Sequence, residues 1–113
     1  MTARSHPIVD AYVEAINRQD LDDLTARFAG GAVLVHPLGT FDGTDEIAGF
    51  YRDVVLAGQA VVRAGDTLAD GPLVMAEIVA SSPLDPDAGH AHAVDVFRLD
   101  DDGRIARLEI YYR

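Results

Sequence analysis

Asp95 lies in the stretch Ala91-His92-Ala93-Val94-Asp95-Val96-Phe97-Arg98-Leu99. Its alternation and its β-branched and aromatic residues predict a strand, closed by the turn Asp100-Asp101-Asp102-Gly103. By parity, His92, Val94, Val96 and Arg98 share one face, and Ala91, Ala93, Asp95, Phe97 and Leu99 the other. Asp95 is then the one polar group on the face suited to an interior. A carboxyl there must find a partner, or take up a proton and act as a neutral donor. Both readings stand on the sequence: a half-buried Asp satisfied by a nearby hydroxyl, or an acid tuned for chemistry. Two further residues carry the same ambiguity. Tyr12 sits in the middle of an apolar helical stripe, as core filler or as a proton donor. His36 ends a short strand on the face of Ala32 and Leu34, as an inward residue or as a structural or exposed one at the strand's end.

These side chains need elements to hold them. Ile8, Val9, Tyr12, Val13 and Ile16 recur at helical spacing, predicting an amphipathic helix over 6–18, capped by Ser5 with Pro7 in its first turn. His6 is read as a surface residue. A second helix is expected over 20–28, stopped by Gly30-Gly31. A short strand follows over 32–36, closed by Pro37, with a loop over 38–43. Thr44-Asp45-Glu46 opens a third helix that carries Ile47, Phe50, Tyr51, Val54 and Val55 and ends at Ala57-Gly58. Strands are expected over 59–64, 66–69, 73–81, 91–99 and 104–112. The last alternates Ala106, Leu108, Ile110 and Tyr112 against Arg107, Glu109 and Tyr111. The layout is α+β, one domain over residues 1–113, with helices on one side of a curved antiparallel sheet. Ala76, Ala80, Ala93 and Ala106 on inward faces leave space between the layers, which makes a small-molecule pocket.

Composition narrows the partners. The chain has 113 residues, no cysteine and a net charge of −10 at pH 7. That charge argues against nucleic acid and anionic membrane surfaces and favours a neutral, apolar ligand. No apolar run approaches the roughly 20 residues of a membrane span, and no hydrophobic leader precedes the first helix, so a cytoplasmic protein is expected. His90 and His92, with Asp85 or Asp87, suggest a metal site, but they lie opposite Asp95 and lack a third ligand. No metal and no cofactor is assigned. Outward Met75, Val79 and Val94 favour burial against a second copy, a homodimer through the outer sheet face.

Several segments together resemble a known family: Tyr12-Val13-Glu14-Ala15-Ile16-Asn17, Asp20-Leu21, Phe28, His36-Pro37-Leu38-Gly39, Phe50-Tyr51, Asp95-Val96-Phe97-Arg98-Leu99 and Asp102-Gly103-Arg104-Ile105. The chain resembles the bacterial Δ5-3-ketosteroid isomerases, within the nuclear-transport-factor-like and SnoaL-like superfamily, over nearly its whole length. The resemblance implies a cone-shaped α+β fold with three N-terminal helices and an apolar, steroid- or polyketide-like substrate. It implies that Tyr12 and a protonated Asp95 hold the substrate's carbonyl oxygen. It places Phe28, Tyr51, Leu108 and Tyr112 around the pocket. The family's base is an Asp before Pro-X-Gly, and this chain has His36 there. An imidazole can move a proton beside a carbonyl, so His36 is expected as the base, with Tyr12 and Asp95 as the donors to the enolate oxygen. The substitution also leaves room for a polyketide cyclase, a dehydratase or a non-catalytic binder of the same fold.

Overall fold

The computed structural model describes residues 6–113. The chain opens with α1 (Pro7–Asn17) and α2 (Leu21–Ala26), followed by the strands β1 (Phe28–His36) and β2 (Gly39–Asp42). Helix α3 (Thr44–Phe50) continues as a wider turn over Tyr51–Leu56, and β3 (Val61–Asp70), β4 (Leu73–Ser81), β5 (Ala91–Leu99) and β6 (Ile105–Tyr112) complete the fold. The strands form one curved sheet in the order β2-β1-β6-β5-β4-β3. Four of its five pairings are antiparallel, and β1 alone runs parallel to its neighbour β6. The result is the expected α+β cone, its helices packed over one face of the sheet. No helix among the described residues is long and apolar enough to cross a membrane.

Helix α1 forms where the apolar stripe predicts it and buries Ile8, Val9, Tyr12, Ala15 and Ile16. The expected cap, Ser5, lies outside the described residues. The observed cap is His6, whose Nδ1 accepts the Ile8 N–H at 3.1 Å. Pro7 has no N–H, so the next amide is the first that needs a partner. At its other end α1 is tied to the sheet's edge. The Asn17 amide accepts the Val62 N–H and donates to the Val62 carbonyl, both at 2.8 Å.

Several boundaries depart from the sequence reading. Helix α2 is shorter than expected, and Phe28 begins β1. Gly30 and Gly31 are exposed inside that strand, at the irregularity between the Phe28–Ile105 and Val33–Arg107 pairs, and they do not end the helix. The expected loop over 38–43 contains β2, which pairs back on β1. The two strands expected around residue 65 are one strand with a bulge at Gly65-Asp66. There Glu77 accepts the Asp66 N–H, and a Cβ on residue 65 would meet Glu77 Oε1 at 2.9 Å, so a larger residue would displace that carboxylate. Strand β6 also bulges, between Ile105 and Arg107. This drives Ile105 into the core beside Leu108 and leaves Ala106 half-buried, not inward as the simple alternation implied.

The Asn17 tether gives a direct test. Asn17→Ala leaves two part-buried backbone groups of Val62 without their partner. Each unmade bond of this kind costs about 1–3 kcal/mol, and urea denaturation is expected to show a loss of about 2 kcal/mol or more.

Candidate functional site

Asp95 occupies the middle of the sheet. On β5 it stands opposite Ala76 of β4 and Ile110 of β6, and it is 2% exposed. Its Oδ1 is buried with no hydrogen-bond partner among the described residues. Burial alone drives the carboxyl's pKa up from the usual carboxylate range to about 7. At neutral pH the group therefore holds its proton about half of the time. The parity argument from the sequence placed this residue on the inward face, and the structure places it there.

Above it lie two phenols. The Tyr12 and Tyr51 hydroxyls are 2.7 Å apart and buried. Tyr12 stands edge-on to Phe97 at 5.3 Å and to Tyr51 at 6.0 Å. Phe28 and Phe50 flank Tyr51 at 5.9 and 5.1 Å, which fixes both rings. Burial raises both phenol pKa values well above the ordinary range, and the neighbouring Asp95 raises them further, so both stay neutral. Two hydroxyls carry two protons and share one bond. One proton remains to donate to a ligand oxygen.

These groups open onto a cavity of about 400 Å³. Its walls are apolar, with Ile16, Val54, Val55, Ile78 and Ile110 among them, and small where Ala60, Ala80 and Ala93 face it. Of the four alanines expected to leave the space, Ala80 and Ala93 line it. Ala76 is packed in the core and Ala106 lies at the β6 bulge. His90 and Asp85 also line the cavity, so His90, expected on the face opposite Asp95, shares it with that residue.

His36 and Tyr112 sit together at the cavity's edge. His36 Nε2 is 3.1 Å from the Tyr112 hydroxyl, and the two rings are edge-on at 5.4 Å. His36 Nδ1 accepts the Leu38 N–H at 3.1 Å, and Phe50 covers the ring at 4.8 Å. Partial burial lowers the imidazole pKa below its ordinary value. The Tyr112 pKa is raised by burial and by Asp95. Tyr12, His36, Asp95, Tyr51 and Tyr112 thus share one cavity. Phe28 and Leu108, expected on its wall, lie in the core instead, Phe28 as a support for Tyr51. The resemblance puts both on the wall, and the structure buries them in the core outside the cavity lining.

The outer sheet face is less apolar than expected. Met75 and Val94 are 39% and 41% exposed, but Val79 is only 8% exposed without any partner. Arg98 and Arg107 both reach Glu109 across that face.

Residues 9–108 match the SnoaL-like domain family, and the chain belongs to it. Comparison with curated proteins gives no match. Among solved structures, a Sinorhizobium meliloti protein assigned as a polyketide cyclase is 26% identical, with 94% of each chain covered and a TM-score of 0.83. The protein Rv0760c of Mycobacterium tuberculosis, solved in complex with estradiol-17β-hemisuccinate, is 15% identical, with 94% of this chain and 91% of that chain covered and a TM-score of 0.81. A Kribbella flavida protein assigned as a ketosteroid isomerase is 16% identical, with 94% of this chain and 75% of that chain covered and a TM-score of 0.80. At these identities the last two speak for the fold alone. The family is thus the broad SnoaL-like one, in which ketosteroid-isomerase-like proteins are one kind of structural neighbour.

The Asp95 carboxyl has a measurable consequence for stability. Folded, it releases its proton near pH 7, and unfolded near pH 3.9. Between these values the folded chain holds more protons, so stability falls as pH rises through the window, by on the order of 4 kcal/mol in all. Asp95→Asn removes that penalty. Urea denaturation is expected to find this variant more stable than the parent at pH 8, with the advantage shrinking toward pH 4.

Proposed function

We propose that this protein is an enzyme that moves a proton beside a carbonyl of an apolar small molecule, steroid- or polyketide-like, held in the cone cavity. One observation carries the reading: an unpartnered, buried carboxyl with a pKa about 7 stands in an apolar cavity beside a phenol pair. A group poised at the working pH serves well both to take and to return a proton. The spare hydroxyl proton of the Tyr12–Tyr51 pair donates to the carbonyl oxygen as negative charge develops there, in a site where such a bond is strong.

The base in this reading is Asp95. His36, the residue that replaces the family's base, has both nitrogens occupied, Nδ1 by a backbone N–H and Nε2 by Tyr112. Ionised Asp95 takes the proton from the carbon next to the carbonyl, and the enolate oxygen rests on the phenol pair. Returning the proton at a different carbon completes an isomerisation, as in the ketosteroid isomerases.

A second reading shares the first step. If the enolate carbon instead attacks another carbonyl of the same molecule, a ring closes and the new alkoxide takes the proton from Asp95. The 26% identical protein assigned as a polyketide cyclase supports this outcome. A β,γ-unsaturated ketosteroid separates the two, because conjugation produces near-ultraviolet absorption that can be followed directly. Turnover supports isomerisation. No turnover at high enzyme concentration, with tight binding of the same steroid, supports a cyclase or a carrier.

On a turned-over substrate, Tyr12→Phe is expected to lower kcat by about 10²–10³-fold, the usual cost of one oxyanion donor. Asp95→Asn is expected to abolish turnover, and kcat/KM of the parent to rise with pH through about 7. His36→Gln is expected to lower the rate by no more than about tenfold. Loss of activity in His36→Gln, with Asp95→Asn active, would make His36 the base.

We also propose a homodimer through the outer sheet face, resting on Met75 and Val94. Sedimentation equilibrium at micromolar concentration is expected to give twice the chain mass, and Val94→Lys to shift it toward the monomer.

A further inference from the structure

The two His-Pro dipeptides of this chain make the same local bond. In His6-Pro7-Ile8 and in His36-Pro37-Leu38, the imidazole Nδ1 accepts the N–H of the second residue on, at 3.1 Å in each case. Proline explains the recurrence. It offers no N–H of its own and fixes its φ, so the following amide turns back toward the histidine ring. A backbone N–H can only donate, so the nitrogen that faces it must carry a lone pair. In neutral His36 the proton therefore sits on Nε2.

That assignment decides what Tyr112 does. Nε2 is 3.1 Å from the Tyr112 oxygen. With its proton on Nε2, the imidazole is the donor and the phenol oxygen the acceptor. The phenol's own proton is then left to point elsewhere, and Tyr112 lines the cavity. On the sheet Tyr112 pairs with Ala93, and Asp95 pairs with Ile110. Two residues along the strands separate Tyr112 from the Asp95 pair, a diagonal of about 7–8 Å between backbones.

We propose that His36 is a positioning residue, held by the Leu38 N–H as its Nε2–H tautomer, and that it turns the Tyr112 hydroxyl proton into the cavity to hold a second oxygen of the ligand. The ligand class follows: an apolar molecule with one oxygen deep, at the Tyr12–Tyr51 pair and Asp95, and another toward the rim. This second point of recognition rests on the cavity being the ligand site proposed above. The tautomer does not.

Long-range ¹H–¹⁵N correlation on ¹⁵N-labelled protein at pH 8 reads the tautomer directly. The expected result is the Nε2–H form for His36, with His6 as an internal second case. A proton on Nδ1 of His36 overturns the proposal, whatever the protein binds. Ligand binding tests the donor with two probes, estradiol, which has an oxygen at each end, and 17-deoxyestradiol, which keeps only the phenol. Tyr112→Phe is expected to weaken estradiol about fivefold to tenfold and to leave 17-deoxyestradiol unchanged. His36→Phe should reproduce this selective loss, and His36→Gln, which keeps an N–H near the place of Nε2, should largely restore it. The double variant H36F/Y112F should lose no more than either alone. Equal weakening of both probes, or none, overturns the donor role. If the parent binds neither steroid while His36 shows the expected tautomer, it is the ligand-site reading that fails, and the second recognition point falls with it.

Discussion

A carboxyl without a partner at the centre of the sheet sets the terms for the rest of this molecule. Asp95 is flanked by Ala76 and Ile110, and its Oδ1 meets no hydrogen-bond partner among the described residues. A core built for stability alone would place an apolar residue there, since burying an unpaired charge costs several kcal/mol. The fold accommodates the carboxyl by letting it keep its proton. A pKa raised by burial to about 7 turns the penalty into a poised acid, largely neutral below that pH and a stronger base than an ordinary carboxylate above it. The same burial keeps Tyr12 and Tyr51 neutral, so they remain donors when Asp95 ionises.

Holding such a group in place requires a rigid surround. Phe97 follows Asp95 by two residues on the same strand face, and it meets the Tyr12 ring edge-on. Tyr12 is carried by α1, whose register against the sheet is set at one end by Asn17 on Val62. Tyr51 comes from the turn after α3, where the backbone widens to bonds five residues apart, among them Ala57 N–H to the Arg52 carbonyl. Wider turns of this kind in a helix often mark functional positions, because they re-aim a side chain that a regular helix would direct elsewhere. Phe28, Phe41 and Phe50 fill the space behind. The phenol pair is thus assembled from two helices and braced by three strands.

Much of this was legible in the residues. Period-two alternation marked β4 and β5 with their observed ends and put Asp95 on the inward face, because a strand's parity is a strict geometric consequence of the pleat. Helical spacing gave α1 and the stripe that carries Tyr12. What alternation misses is the bulge. At Gly65-Asp66 and at Ala106 one extra residue shifts the face, and no local pattern announces it. The glycine pair at 30–31 is a similar case: glycine signals a stop or a bulge equally well, and only the distant partner β6 decides between them. Depth was also hidden. Phe28 and Leu108 are placed on the cavity wall by the resemblance, but both are buried in the core away from it, and that depth is a tertiary fact.

His36 shows most clearly how residue type and residue role separate. The resemblance makes it the expected base, since an imidazole ordinarily titrates near neutral pH. Yet an imidazole has one lone pair when neutral, and a base must spend it on the substrate. Here the Nδ1 lone pair faces the amide of the residue two positions on, which donates to it. The competition is local and is settled by the proline between them, before any ligand enters. A carboxylate in the same position would keep a free oxygen after accepting that amide, because it has two oxygens and about four acceptor sites. Replacing Asp by His at this point therefore does more than change a pKa. It removes the spare acceptor and leaves the outer nitrogen facing the Tyr112 hydroxyl.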